Sequence, residues 1–313
     1  MSKRMGNIGR ASIAGFAGTL LVLALVFIPT SSPAARALPG PDKGRPTLIL
    51  VDKKSNTLDL AYYAEPEYQV IKTFHITLGK VVGDKEEEGD LKTPEGIYQF
   101  DNELRPPSLK PKFGVMAFSL DYPNPFDQMA GRTGSHIMLH ATNEPDRLKK
   151  DYDSEGCVVV KNEEISEIAP FVRLELTPIL IFQELEPSWR KPLGDGKVKK
   201  FFESWVKDWE SKGLDAYIRH YHSDFKAQGM NKSAWKTYKG GLNSKYASIS
   251  VNPDHVQYYR HPKYTVIVFH QDYHSTYKGG GSAYRSNGTK ILYVAEEDGD
   301  LKIISEQFTR SAW

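Results

Sequence analysis

Apolar positions in the first half of the chain alternate or cluster in short bursts, which is the pattern of strands. Thr47 to Val51 is an apolar, β-branched run, and a Lys-Lys-Ser-Asn turn at 53–56 separates it from the alternating stretch Thr57 to Tyr63. Val70 to Leu78 alternates again. Strands joined by short turns predict a meander, so the sheet is expected to be largely antiparallel. Residues 79–89 carry the charged run Asp84 to Glu88 and read as a solvated loop. Thr93-Pro94 with Gly96 is turn chemistry and leads into a strand over Ile97 to Phe100. Prolines at 106, 107, 111, 123 and 125, mixed with Phe113, Phe118, Tyr122 and Phe126, predict little regular structure over 101–131. Such a segment suits a lid or wall over a site. Ile165, Ile168 and Phe171 fall on one helical face, and Val172 to Phe182 alternates as a strand that would close the sheet.

The pattern changes after a stretch rich in Pro and Gly at 185–195. Phe201, Phe202, Trp205, Val206 and Trp209 have helical spacing and predict an amphipathic helix from Val198 to about Ser211. A second helix is expected from Leu214 to about Tyr221. Strand-like runs follow at 246–251, 255–259, 264–274, 290–296 and 301–305, the last two joined by a Glu-Asp-Gly-Asp hairpin turn. Two helices followed by long antiparallel strands make an α+β unit. The expected division is therefore 1–37 as signal or anchor, 38–46 and 185–195 as linkers, 47–184 as the first domain and 196–313 as the second.

The 313 residues suffice for two domains. A formal net charge of +2 gives no electrostatic reason to expect nucleic acid as a partner. Lys3, Arg4 and Arg10 precede an uncharged apolar run from Ala11 to Ile28, and Ala35-Arg36-Ala37 has the form of a cleavage site. This predicts an export signal cut after Ala37; a membrane anchor through residues 11–29 is the alternative. Either places the bulk of the chain in the periplasm or cell envelope.

Export makes the single cysteine informative, because exported cysteines usually pair. Cys157 sits between Gly156 and three valines, and seventeen positions earlier His140 ends the apolar stretch Ile137-Met138-Leu139. Two strands meeting in one sheet would bring the thiol to an imidazole that can take its proton. The backbone N–H of Cys157, with that of Gly156, could form an oxyanion hole, and Gly156 would permit a sharp bend. His136 is expected on the same strand face as His140. Other signals are weaker. His255, His261, His270 and His274 lack acidic or cysteine partners at ligand spacing, so no metal is expected. The Gly-rich run 278–282 lacks strand–loop–helix context and reads as a hairpin loop.

The Thr-Pro-Glu-Gly turn before a strand, the apolar strand ending in His140, the polar loop and Ser154-Glu155-Gly156-Cys157 together resemble the L,D-transpeptidase (YkuD-type) catalytic domain. The resemblance covers about 47–184. It departs from the commonest pattern at Ala141, Glu155 and Val159. With the second domain, these departures make the chain similar to periplasmic enzymes that join this domain to a nuclear transport factor 2-like domain, some of them L,D-carboxypeptidases that set cell shape. The resemblance implies a mainly β catalytic domain, a YkuD-like β-sandwich with short helices, and an α+β second domain curved around a cone-shaped pocket. It implies a Cys157 thioester formed at the bond between the third residue and D-Ala of a peptidoglycan stem tetrapeptide, with His140 as general base and acid and no cofactor. An amine acceptor gives a 3→3 cross-link; water gives a tripeptide. It also implies that the Ala141 backbone orients His140 and that Ser154, Glu155, His136 and Val159 contact substrate. Stem peptides are the expected partners, and a homodimer or protein partner through the C-terminal domain stays open. A catalytically inactive wall-binding scaffold is the rival from another class. A papain-like peptidase is disfavoured because there the cysteine precedes the histidine.

Overall fold

A computed structural model describes residues 38, 40–42, 44–193 and 196–310. The expected export segment, 1–37, lies outside the described residues. Among the described residues no helix is long and apolar enough to cross a membrane.

The first domain opens with β1 (Thr47–Asp52), β2 (Thr57–Tyr62), β3 (Gln69–His75) and the short β4 (Leu78–Gly79). It continues through β5 (Gly96–Leu104), β6 (Ala117–Leu120), α1 (Pro125–Met129), β7 (Met138–His140), β8 (Tyr152–Ser154), β9 (Val158–Val159), α2 (Asn162–Ile168) and β10 (Pro178–Phe182). Eight of these strands form one curled sheet in the order β3-β2-β1-β10-β5-β6-β7-β9, and β4 pairs with β8. The meander expectation holds for β1–β3, but β1 pairs with β10, β7 with β9 and β4 with β8 in parallel. Residues 172–177 turn instead of extending a strand, so only Pro178–Phe182 joins the sheet. Within 101–131 the prolines do not prevent β6 or the Asn124-capped α1, whose carboxamide accepts from the N–H groups of Phe126 and Asp127.

The second domain packs α3 (Gly196–Glu210), α4 (Leu214–Ile218), the small hairpin β11 (Lys226–Ala227) and β12 (Met230–Asn231), and α5 (Lys232–Lys245) against a four-stranded antiparallel sheet. Its strands are β13 (Tyr246–Arg260), β14 (Thr265–Tyr277), β15 (Ser282–Glu297) and β16 (Asp300–Thr309). The two expected strands at 246–251 and 255–259 are one strand with a register shift between Asp254 and Gln257. Val198, Phe202, Trp205 and Trp209 bury the expected face of α3. Between its helices and the sheet lies a cavity of about 290 Å³ lined by Trp209, Trp235, Tyr273, Lys239, Lys290 and Glu306.

β1 and β10 are apolar on both faces, as strands covered on both sides must be. Ile49, Val51, Ile179 and Ile181 face the hydrophobic core of the first domain. Leu48, Leu50, Leu180 and Phe182 face Tyr259, Tyr264, Val266, Val268 and Tyr293 of the second domain, so the two sheets share one buried cluster. Tyr264 fixes this contact: its hydroxyl accepts from the Ile97 N–H at 2.8 Å and from the Asn124 carboxamide at 3.0 Å. Gly96 is dictated by this crowding, not by a turn. A Cβ there would stand 2.6 Å from the Tyr98 hydroxyl and 3.0 Å from that of Tyr264.

Candidate active site

Parallel pairing of β7 and β9 sets Leu139 opposite Val158 and His140 opposite Val159. Cys157 immediately precedes β9, so thiol and imidazole lie on adjacent chains of the sheet, two residues apart in register. Gly156 makes the turn that delivers the cysteine. Its φ is +120°, and a Cβ would stand 2.8 Å from the Lys92 carbonyl and 3.0 Å from the Ile137 side chain. The Ser154 hydroxyl clasps this turn, accepting from the Gly156 N–H at 3.1 Å and donating to the Cys157 carbonyl at 2.6 Å. The Gly156 N–H is thus engaged and is a poor oxyanion donor, a correction to the sequence expectation. The Cys157 N–H has no hydrogen-bond partner among the described residues.

Beneath the turn runs the segment that carries Thr93. Its hydroxyl accepts from the Gly79 N–H at 2.9 Å. The buried Lys53 ammonium donates to the Thr93 carbonyl at 2.8 Å and to Glu95 at 2.8 Å. The charged run before it is an ordered loop, not merely a solvated one. Asp90 accepts from the Lys85 ammonium at 2.7 Å and from the N–H groups of Glu86, Glu87 and Lys92. Burial opposes ionisation of Asp90, but these donors outweigh it and hold the carboxyl at about 2.

His140 is 1% exposed and Cys157 8% exposed. The His140 Nδ1 lies 2.5 Å from the Ala141 carbonyl. A carbonyl can only accept, so Nδ1 carries the proton and Nε2 keeps its lone pair. The edge of the imidazole meets the Phe113 ring with centroids 4.8 Å apart. Burial pushes the His140 pKa down to about 4, with Arg147 and Lys112 adding to the shift. Burial pushes the Cys157 thiol up to about 11, against the pull of the Met138 N–H and of Arg147. Both shifts favour the uncharged forms, a thiol and a neutral imidazole lining the same cleft. The Cys157 Sγ lies 3.7 Å from the His136 carbonyl.

Both residues line a cleft of about 880 Å³, with His136, Ser154 and Glu155. His136 does not lie on the strand face expected for it: β7 starts at Met138, and His136 has a left-handed φ of 61° and is exposed. Glu155 is exposed at the cleft. Val159, expected on the substrate rim, is 0% exposed and packs with Leu109, Ala117 and Met138. It sits inside the sheet, where no substrate atom reaches it. Part of the proline-rich segment walls the cleft through Leu109, Lys112 and Phe113.

Sequence reasoning missed Arg147 and Asp153. Arg147 lines the cleft from the turn between β7 and β8 and Asp153 from β8, and only the position of this stretch between histidine and cysteine could have drawn attention to them. Among the described residues no group of three His, Cys, Asp or Glu is placed to hold a metal ion. His270 instead meets the Asn287 side chain at 2.8 Å.

Residues 46–181 match the YkuD family, the L,D-transpeptidase catalytic domain, and residues 197–307 match the Cds6 C-terminal NTF2-like domain. Escherichia coli K12 YafK, named as an L,D-transpeptidase, is 30% identical over 166 residues, covering 49% of this chain and 62% of YafK. The chain thus matches less than two thirds of that relative's length. The structure of Bdellovibrio bacteriovorus Bd1075 is 30% identical and superposes with a TM-score of 0.68 over 88% of this chain and 97% of that one. The helical cell shape determining protein Pgp2 of Campylobacter jejuni shares the fold at 23% identity, with a TM-score of 0.64 over 87% of this chain and 94% of Pgp2. The chain thus joins a YkuD L,D-transpeptidase catalytic domain to a C-terminal NTF2-like domain.

Proposed function

We propose that the protein is a peptidoglycan-modifying cysteine acyltransferase that attacks the bond between the third residue and D-Ala of stem tetrapeptides. The observation that carries this is the Ala141 carbonyl holding His140 Nδ1–H, which leaves Nε2 free as a base on the strand that adjoins the Cys157 turn, with both residues lining one cleft. As Sγ attacks the scissile carbonyl carbon, Nε2 takes the thiol proton, so no resting thiolate is needed. The unpartnered Cys157 N–H donates to the developing oxyanion. Collapse breaks the C–N bond, and the imidazolium returns its proton to the leaving D-Ala amine. The stem is left as a Cys157 thioester. An amine of a second stem then attacks the thioester, His140 takes its proton, and a 3→3 cross-link forms as the thiol is restored. Glu155, exposed at the cleft, suits attraction of the incoming ammonium. The export signal expected at 1–37 would carry this chemistry to the periplasm.

The test is incubation of the purified protein with a disaccharide tetrapeptide, read by mass spectrometry beside Cys157→Ala. Cross-linked dimer with released D-Ala supports transpeptidation. Tripeptide monomer alone assigns water as the acceptor and makes the protein an L,D-carboxypeptidase. No product and no adduct on Cys157 overturns the proposal in favour of a wall-binding role. His140→Ala is expected to cost about 10²–10⁴-fold in turnover while the fold stands.

A further inference from the structure

The leaving D-Ala of a tetrapeptide has a feature that longer stems lack: a free carboxylate on the carbon next to the scissile nitrogen. In a pentapeptide that carboxyl is an amide. An enzyme that selects tetrapeptides therefore needs a cation close to both the nucleophile and the base. The cleft offers Lys80, Lys85, Lys110, Lys112 and Arg147. Lys85 is spent, paired with Asp90 at 2.7 Å and donating to the Glu87 carbonyl at 2.8 Å. Lys112 is exposed, with its ammonium 4.9 Å from the Phe113 ring centroid.

Arg147 is built differently. It sits in the turn between β7 and β8, and its side chain is 17% exposed. Asp153 tethers it from one side: Nε lies 3.3 Å from the Asp153 carboxylate and Nη2 3.1 Å from the Asp153 carbonyl. Nη1 has no partner among the described residues. A guanidinium fixed on one edge and unspent on the other is pre-oriented to grip a carboxylate. Its charge is felt at both His140 and Cys157, more strongly than that of Lys112 at either.

We propose that Arg147 binds the free carboxylate of the terminal D-Ala and so restricts the donor to stems that end at the fourth residue. This rests on the acyl-transfer reading above. The experiment compares kcat/KM for a disaccharide tetrapeptide ending in D-Ala with the same compound ending in D-alaninamide. Wild-type protein should prefer the carboxylate by about ten- to a hundred-fold, the range for a charge-assisted pair. Arg147→Gln should erase the preference, mainly through KM. Arg147→Lys should keep part of it, and Lys112→Gln should keep most. Loss of the Asp153 tether alone would slow both substrates together and leave their ratio unchanged, so the ratio separates recognition from loop support. A wild-type protein indifferent to the amide, or an Arg147→Gln protein with the wild-type ratio, overturns the proposal. The wild-type comparison and Arg147→Lys decide the matter even where Arg147→Gln fails to fold. A wild-type protein that gives neither product nor Cys157 adduct with either compound sinks the acyl-transfer reading instead.

Discussion

The proton inventory of two side chains shapes the chemistry at residue scale. A base that rests neutral with a pKa near 4, and a thiol that rests protonated with a pKa near 11, predict a broad plateau in kcat/KM against pH. Nε2 accepts a proton only while the imidazole is neutral, so activity should fall as pH drops through about 4 and hold through pH 6.5, where an ordinary histidine would already be titrating. Rates measured from pH 3.5 to 9 check this. An acidic limb near 6.5 would mean that the imidazole is solvated or paired with a thiolate. Ser154→Ala tests the clasp: it strips the Gly156 N–H of its acceptor and frees the Cys157 carbonyl. The expected cost is about ten-fold in kcat, in line with the net loss of the two buried hydrogen bonds made by one hydroxyl. That Cys157 and His140 come to adjoining chains of one sheet was readable from sequence, because a lone cysteine after glycine, in a chain expected to be exported and with a histidine ending a nearby apolar strand, has few structural explanations. The Ala141 carbonyl was expected from resemblance, whereas the engagement of the Gly156 N–H was not. Backbone donors look alike in a sequence, and only the position of the Ser154 hydroxyl separates the engaged one from the unpartnered one.

At the scale of elements, burial of charge separates ordinary pieces from demanding ones. Glu306 on β16 is 2% exposed, meets Lys290 of β15 at 2.6 Å and accepts from the Tyr221 hydroxyl at 3.0 Å. Lys239 of α5 is enclosed by aromatic rings, its ammonium 4.6 Å from the centroids of both Trp209 and Trp235, and burial lowers its pKa to about 8. Desolvation works against the Glu306 carboxylate, yet the two ammonium groups outweigh it and keep its pKa low. Glu306→Gln leaves two buried cations without their counter-charge and should destabilise the protein by about 3–5 kcal/mol, measured by urea unfolding. A cost below about 1 kcal/mol would mean that water reaches the group. α5 itself was missed in the sequence. Its Gly240-Gly241 pair and its polar faces weaken the helical pattern, and Trp235 and Lys239 are its buried side chains. The strand content of β13–β16 was legible, but the first half of β15 and the last four residues of β16 were not. Their polar residues show alternation too weak to separate strand from loop, and pairing with neighbours extends them. The parallel pairing of β1 with β10 was equally hidden, since partner choice is decided by contacts far apart in the chain.

For the whole molecule, the shared core between the two sheets decides how the halves behave, and it borders a carboxyl, that of Asp121, that titrates in an accessible range. Asp121 follows β6 and is partly exposed as a residue, but its carboxylate is caught between the Gln99 N–H at 2.8 Å and the Tyr293 hydroxyl at 3.0 Å. Burial pushes its pKa up to about 7, and those two hydrogen bonds only partly oppose the shift. A carboxyl raised in this way holds its proton more tightly folded than unfolded. Its contribution to stability is greatest at low pH and is withdrawn as pH rises from about 4, where the unfolded chain ionises, to about 7. His140 and His261, held at about 4 and about 3 by burial, act in the opposite sense, since their folded forms resist the protonation that the unfolded chain accepts below about 6.5. The raw pH dependence of the wild-type protein therefore mixes opposing slopes. The difference between wild type and Asp121→Asn isolates the interface group. Asparagine can still accept from Gln99 and can donate to Tyr293, so the geometry survives without the charge. Urea unfolding at pH 4.5 and pH 8 should show Asp121→Asn gaining on wild type by about 1–2 kcal/mol as pH rises, a figure discounted for the residue's partial exposure. A difference that stays constant with pH would mean that water reaches the carboxylate and that the contact between the domains is looser at this edge than the shared core implies.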